Sequence, residues 1–78
     1  SEVYMFITNQ RHYRPQFVID NICSMEQIMD TCGIKNRQVV KETGLHPKFI
    51  YNYKKCRSLP EKTNYNKLAA FFDWEVWE

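Results

Sequence analysis

Only two glycines occur in the 78 residues, Gly33 and Gly44, and they stand eleven positions apart. Glycine ends helices because it enters the left-handed conformation without a Cβ clash. The residues on either side fit that role. Ser24-Met-Glu-Gln27 reads as a capping box, with Ser24 as N-cap and Gln27 reaching back, so a helix begins near residue 24 and Gly33 closes it. Lys35 to Thr43 forms the next helical segment, with Val39 and Val40 apolar and Gly44 as its stop. Two helices joined through a short glycine-containing turn make a helix-turn-helix arrangement.

Beyond Gly44 the helical signals continue. Leu45 is apolar, His46 can cap, and Pro47 sits in a first turn, where a missing N–H costs nothing. Ile50 and Tyr53, three apart, give that helix one buried face. Arg57-Ser-Leu-Pro60 breaks it. A last helix spans Lys62 to Phe72, with Tyr65, Leu68, Ala69 and Phe72 on one stripe. An apolar tail, Asp73 to Glu78, follows.

The N-terminal part reads differently. Glu2 to Thr8 is rich in β-branched and aromatic residues and is expected to be a strand. Gln16 to Asp20 admits two readings. A second strand would complete a hairpin, and this is preferred; a helix starting at Pro15 and running to Cys32 competes. The expected fold class is therefore mainly α, a small helical bundle with an N-terminal strand or hairpin. Residues 1–22 form an extension, and 23–78 form the helix-turn-helix domain.

Size and charge narrow the function. A chain this short buries only about 60% of its unfolded surface, which argues for a binding module rather than a two-lobed enzyme. No Ser/His/Asp set, paired carboxylates or phosphate loop is recognisable, so no catalytic residue is assigned. The net charge of +2 conceals a strong segregation. Residues 1–34 carry net −2 and residues 63–78 another −2. The middle segment, 35–62, carries Lys35, Arg37, Lys41, Lys48, Lys54, Lys55, Arg57 and Lys62 against Glu42 and Glu61, net +6. One basic face on a nearly neutral domain suits a polyanion.

Cys23, Cys32 and Cys56 are odd in number and lack CxxC spacing, and His12 and His46 lie far apart, so neither a disulfide framework nor a metal site is expected. Three reduced, partly buried thiols, an intracellular (cytoplasmic) location and no cofactor follow as expectations. No run of about 18 apolar residues suggests a membrane span, and Ser1 to Asn9 lacks the pattern of a signal peptide.

The run from Gly33 to Pro60 resembles the lambda-repressor/Cro-like (XRE-type) helix-turn-helix family. Ile34 takes the family's apolar position, Val39 its leucine, Gly44 the turn glycine, Leu45 the residue after it, and Ile50 the core position of the recognition helix. Leu59-Pro60 and the stripe of Tyr65, Leu68, Ala69 and Phe72 match the family's proline and next helix. The resemblance covers about residues 24–74. Val40 replaces the usual small residue of the second helix, which implies slightly wider packing. Lys54 and Cys56 stand where Glu and Gly usually follow the recognition helix, which implies loss of the family's helix stop.

The resemblance implies double-stranded DNA as the partner, read by a helix at about 46–55. Its base-contacting positions fall on Pro47, Lys48, Phe49 and Asn52; Tyr51 also faces outward. Asn52 has the chemistry for a bidentate contact to adenine, Lys48 for guanine O6/N7, and Phe49 or Tyr51 for a thymine methyl. Asn36 and Arg37 resemble the family's phosphate contacts at a helix N-terminus; His46, Lys54, Lys55 and Arg57 suit backbone phosphates too. Operator binding calls for a homodimer, with Tyr4 and Phe6 of the arm or Trp74 and Trp77 of the tail as the expected contact surface. The whole reads as a repressor-like or Cro-like transcription regulator of a phage or mobile element. The alternative is a protein-interaction module on the same fold, an antitoxin-like partner or a modulator of host transcription, favoured by the apolar arm.

Overall fold

The computed structural model describes residues 13–78, in which five helices and no strand occur. They are α1 (Gln16–Cys23), α2 (Met25–Cys32), α3 (Asn36–Thr43), α4 (Pro47–Lys54) and α5 (Lys62–Phe72). The mainly helical expectation holds. The expected strand at Glu2–Thr8, with Tyr4 and Phe6, lies outside the described residues.

The hairpin preferred for Gln16–Asp20 is corrected, because those residues are the first turns of α1. Val18, Ile22, Met25 and Met29 recur at spacings of four, three and four, and all are essentially inaccessible. That is helical periodicity, and it runs straight through Ser24. Ser24 keeps a right-handed backbone (φ −96°, ψ −3°). Its N–H donates to the Asp20 carbonyl at 3.1 Å and its own carbonyl accepts from Ile28 N–H at 3.0 Å. The bonding of α1 thus carries into α2, and the competing helix from Pro15 is close to what forms. The capping box is corrected for the same reason: Ser24 makes no side-chain cap bond. The Ser24 N–H that Gln27 would have reached is already taken by the Asp20 carbonyl.

Left-handed residues close three helices in one pattern. After α2, Gly33 (φ 70°) lets Ile34 N–H reach back to the Met29 carbonyl at 2.8 Å. After α4, Cys56 (φ 56°) lets Arg57 N–H reach the Asn52 carbonyl at 2.9 Å. After α5, Asp73 (φ 62°) lets Trp74 N–H reach Ala69 at 2.9 Å. These are Schellman-type closures, which satisfy carbonyls the helix leaves open. The expected loss of a helix stop after α4 is therefore corrected, since Cys56 supplies the left-handed residue a glycine would.

The core gathers Val18 and Ile22 of α1, Met25 and Met29 of α2, Val39 of α3, Leu45 of the turn, Ile50 and Tyr53 of α4, and Tyr65, Leu68 and Ala69 of α5. The helix that was grouped with an N-terminal extension thus supplies two core residues. Helix α4 packs against α1, α2 and α3, and α3 packs also against α5. The tail folds back over α5. The Tyr65 ring stacks on Trp74 (5.9 Å between centroids) and meets Trp77 and Phe17 edge-on. Its hydroxyl donates to the Glu75 carbonyl at 2.7 Å and accepts from Asn21 Nδ2 at 3.0 Å. Asn66 pairs with both backbone groups of Trp77, at 2.8 and 2.9 Å. Trp74 and Trp77 are half-buried in these intrachain contacts.

The three reduced thiols are also corrected. Cys23, ending α1, and Cys56, following α4, are joined by a disulfide that spans 33 positions, while Cys32 is free and exposed. Sequence spacing could not place these two at a Cα separation of 5.2 Å; the packing of α1 on α4 does. No helix among the described residues is long and apolar enough to cross a membrane.

Candidate functional site

Helix α4 presents a two-sided face for reasons visible in its residues. His46 heads it, and its Nδ1 accepts from Lys48 N–H at 3.0 Å, as expected of a cap. Pro47 occupies the first turn. Ile50 and Tyr53 are buried, at 0% and 5% exposure, which turns Lys48, Phe49 and Tyr51 outward. Asn52 is half-buried rather than fully outward. Tyr53 is anchored in the core, with its hydroxyl accepting from Asn64 Nδ2 at 3.3 Å.

Phe49 divides its surface between two environments. Its ring stacks on Tyr53 at 6.2 Å and meets His46 edge-on at 6.2 Å, yet 45% of the residue stays exposed. Tyr51, 44% exposed, lies within 5.5 Å of the Arg57 guanidinium and 6.0 Å of the Lys55 ammonium. Both cations lie over the ring, so Tyr51 gathers two anion-binding groups at an exposed aromatic side chain.

The expected phosphate-binding residues assemble at the two ends of α3 and α4. Lys54 Nζ donates to Asn36 Oδ1 at 2.8 Å, joining the last residue of α4 to the first of α3. Beside them Lys35, Ile34, Gly33, Met29 and Asp30 complete the lining of a cleft of about 300 Å³. The start of α3 carries no side-chain cap, so its first amides have no side-chain partner. Arg37 is exposed one residue further along. Lys55 turns instead to α2, where Nζ bonds Glu26 Oε2 at 2.8 Å. That hydrogen bond, with the attraction between the charges, holds the Glu26 carboxyl below its ordinary range and the Lys55 ammonium above its own.

Three contributors had no signal in the sequence pattern. Arg14 Nε donates to the Pro60 carbonyl at 2.7 Å and Nη2 to Leu59 at 3.4 Å, fixing the segment after α4. Glu26 neutralises one of the basic residues. The Cys23–Cys56 bond ties the same turn to α1. Each joins residues that only the tertiary fold brings together. Among the described residues no group of three His, Cys, Asp or Glu side chains gathers as a metal site. Comparison of the chain with protein-family models, curated proteins and solved structures finds no match.

Proposed function

We propose that the protein is a sequence-specific double-stranded DNA-binding regulator that acts by occupying a site rather than by chemistry. In this reading α3 and α4 form a helix-turn-helix, and α4 enters the major groove with its N-terminal half leading. The observation that carries the proposal is the orientation of α4: Ile50 and Tyr53 hold it in the core while Lys48, Phe49 and Tyr51 stand outward. Basic groups lie on either side, Lys35, Arg37 and Lys54 near the start of α3 and Lys55 and Arg57 beyond α4. Lys48 has the chemistry to donate to guanine, Phe49 to meet a thymine methyl, and Asn52 to bind adenine where its half-buried amide reaches the base. Pro47 offers apolar contact alone. Asn36, Arg37, His46, Lys54, Lys55 and Arg57 would hold phosphates.

A domain of this size gains affinity and half-site recognition by pairing, so binding as a homodimer belongs to the proposal. A repressor or Cro-like role follows from the sequence resemblance. Fluorescence titration against duplexes from in vitro selection tests the reading. Affinity should fall steeply with salt, and selected sites should carry paired half-sites; affinity indifferent to salt would sink it.

The exposed rings of Phe49 and Tyr51 also favour a second reading, in which α4 docks on a protein partner. Lys48→Ala with Asn52→Ala separates the two. Loss of promoter occupancy supports DNA reading, and unchanged occupancy with unchanged partner binding supports the other.

A further inference from the structure

We propose that the Cys23–Cys56 disulfide is a reducible clasp on the basic turn after α4, so that the thiol state of the protein sets its hold on DNA. The DNA part of this inference rests on the function proposed above; the clasp itself does not.

The bridge is placed where it would matter to that interface. Cys56 lies between Lys55 and Arg57, the two cations over the Tyr51 ring. Cys23 ends α1, on the other side of the packing between α1 and α4. Both cysteines are exposed, and Cys56 borders a cleft of about 420 Å³ lined with Arg14, Ile19, Arg57, Ser58 and Leu59, so a reductant has access. The backbone of Cys56 is left-handed, a conformation that a residue with a Cβ adopts at a cost and keeps when its surroundings hold it.

The other tethers of the segment lie at its edges. Arg14 holds the carbonyls of Leu59 and Pro60, and the Lys55–Glu26 pair is exposed to water at both ends. Without the bridge, the span 55–58 keeps the helix-closing bonds of Lys55 N–H to Tyr51, Cys56 N–H to Tyr53 and Arg57 N–H to Asn52, with the Lys55 and Arg57 contacts to the Tyr51 ring. Neither cysteine is among the buried residues, so the buried contacts between the helices do not include the bridge. Loss of the bridge is expected to free the turn and leave the helices packed.

The exchange is chemically complete with a dithiol as reductant. Its thiolate attacks Cys23 Sγ, the Cys23–Cys56 bond breaks, and Cys56 leaves as a thiolate whose chain neighbours are both cations. The second thiol of the reductant then displaces Cys23 from the mixed disulfide. Two electrons pass to the bridge, two protons end on the cysteines, and the dithiol becomes a disulfide.

The test uses the full chain carrying Cys32→Ser, which removes the free thiol from exchange, in its oxidised and dithiothreitol-reduced forms. Trypsin should cut the reduced form after Lys55 and Arg57 at least roughly tenfold faster, with sites inside α3 and α5 still resistant. Affinity for a labelled mixed-sequence duplex should fall severalfold on reduction, as expected when the phosphate contact of Arg57 is lost while Lys55 is held by Glu26. A Cys23→Ala, Cys56→Ala variant should behave as the reduced form. Equal trypsin rates would overturn the clasp, and cleavage at every basic site would overturn it too, by making the bridge a staple of the whole fold. Equal affinities in a protein that binds DNA would overturn its control of binding. Should neither form bind the duplex, the DNA reading falls, and the trypsin rates alone decide the clasp.

Discussion

Lys54 Nζ donates to Asn36 Oδ1 at 2.8 Å, so the end of α4 is fastened to the start of α3 through two residues expected to touch phosphate. The bond uses one of three ammonium protons and leaves the Asn36 amide N–H groups to donate elsewhere. A phosphate bound in the cleft between them would accept from both residues at once. The two should therefore act as a unit. In a double-mutant cycle on duplex affinity, Asn36→Ala and Lys54→Ala together should cost less than the sum of the single losses, by about 0.5–1 kcal/mol. Lys54→Ala should also lower the salt slope by about one. Additive losses would show that each residue meets DNA separately or not at all.

Gly44 tests how far the turn before α4 depends on its backbone. It sits at φ 76°, and its N–H closes α3 on the Val40 carbonyl at 2.8 Å. A Cβ built there meets no atom within 4 Å, so substitution costs backbone conformation and nothing else. Gly44→Ala should destabilise the protein by about 1–2 kcal/mol, and Gly44→Asn by less, since Asn tolerates the left-handed region. Urea denaturation reads both. Equal losses for Ala and Asn would mean that the turn is held by something other than its dihedral angles.

These local features were legible because their causes lie within a few residues. Gly33 and Gly44 stop helices, His46 and Pro47 start one, and the stripe over Tyr65, Leu68 and Ala69 buries as its spacing predicts. The first helix was misread because the five residues 16–20 are too short a window to separate periods. Its spacing appears only when Val18 and Ile22 are followed across Ser24 to Met25 and Met29. The capping box at Ser24 and the helix stop at Cys56 are local misreadings, and what else the sequence misses is long-range. Cys23 meets Cys56, Lys55 meets Glu26, and Arg14 meets Pro60 across 33, 29 and 46 positions, and no local pattern encodes which helix packs on which. Trp74 and Trp77 illustrate the same limit. Their apolar character was plain, but their placement against Tyr65 depends on the chain reversing at Asp73.

Tyr65 supplies a pH-dependent test of that tail. Burial, reinforced by the Glu75 carboxylate and opposed by the Asn21 hydrogen bond, raises its hydroxyl above the ordinary tyrosine value of about 10. The folded protein therefore holds the proton more tightly than the unfolded chain does. Its contribution is fully present below the unfolded value and is lost as pH rises through the folded one. Stability should begin to fall above about pH 10, and Tyr65→Phe should remove that part of the alkaline loss. At neutral pH the same substitution leaves the Glu75 carbonyl and the Asn21 amide without their partner, a cost of about 1–2 kcal/mol. Tryptophan fluorescence during urea unfolding measures both, and an unchanged alkaline limb in Tyr65→Phe would refute the assignment.

Glu26 makes the opposite prediction, a substitution that strengthens binding. Its carboxylate holds the Lys55 ammonium at 2.8 Å, in a pair with about 40% of each side chain exposed. Exposed pairs of this kind add little to stability, so Glu26→Gln should leave the urea midpoint almost unchanged at neutral pH. What little the pair adds follows the carboxyl, which Lys55 holds below 4.5 by its hydrogen bond. That contribution is present above the unfolded value and disappears as pH falls through the folded one, and Glu26→Gln should lack this acid limb. Toward DNA the effect is larger. The substitution removes a negative charge beside the basic turn and releases Lys55 to meet a phosphate. Duplex affinity should rise and the salt slope should steepen by about one. A weaker complex, or an unchanged slope, would place Lys55 away from the DNA and confine the phosphate contacts to Lys54, Asn36 and their neighbours at the start of α3.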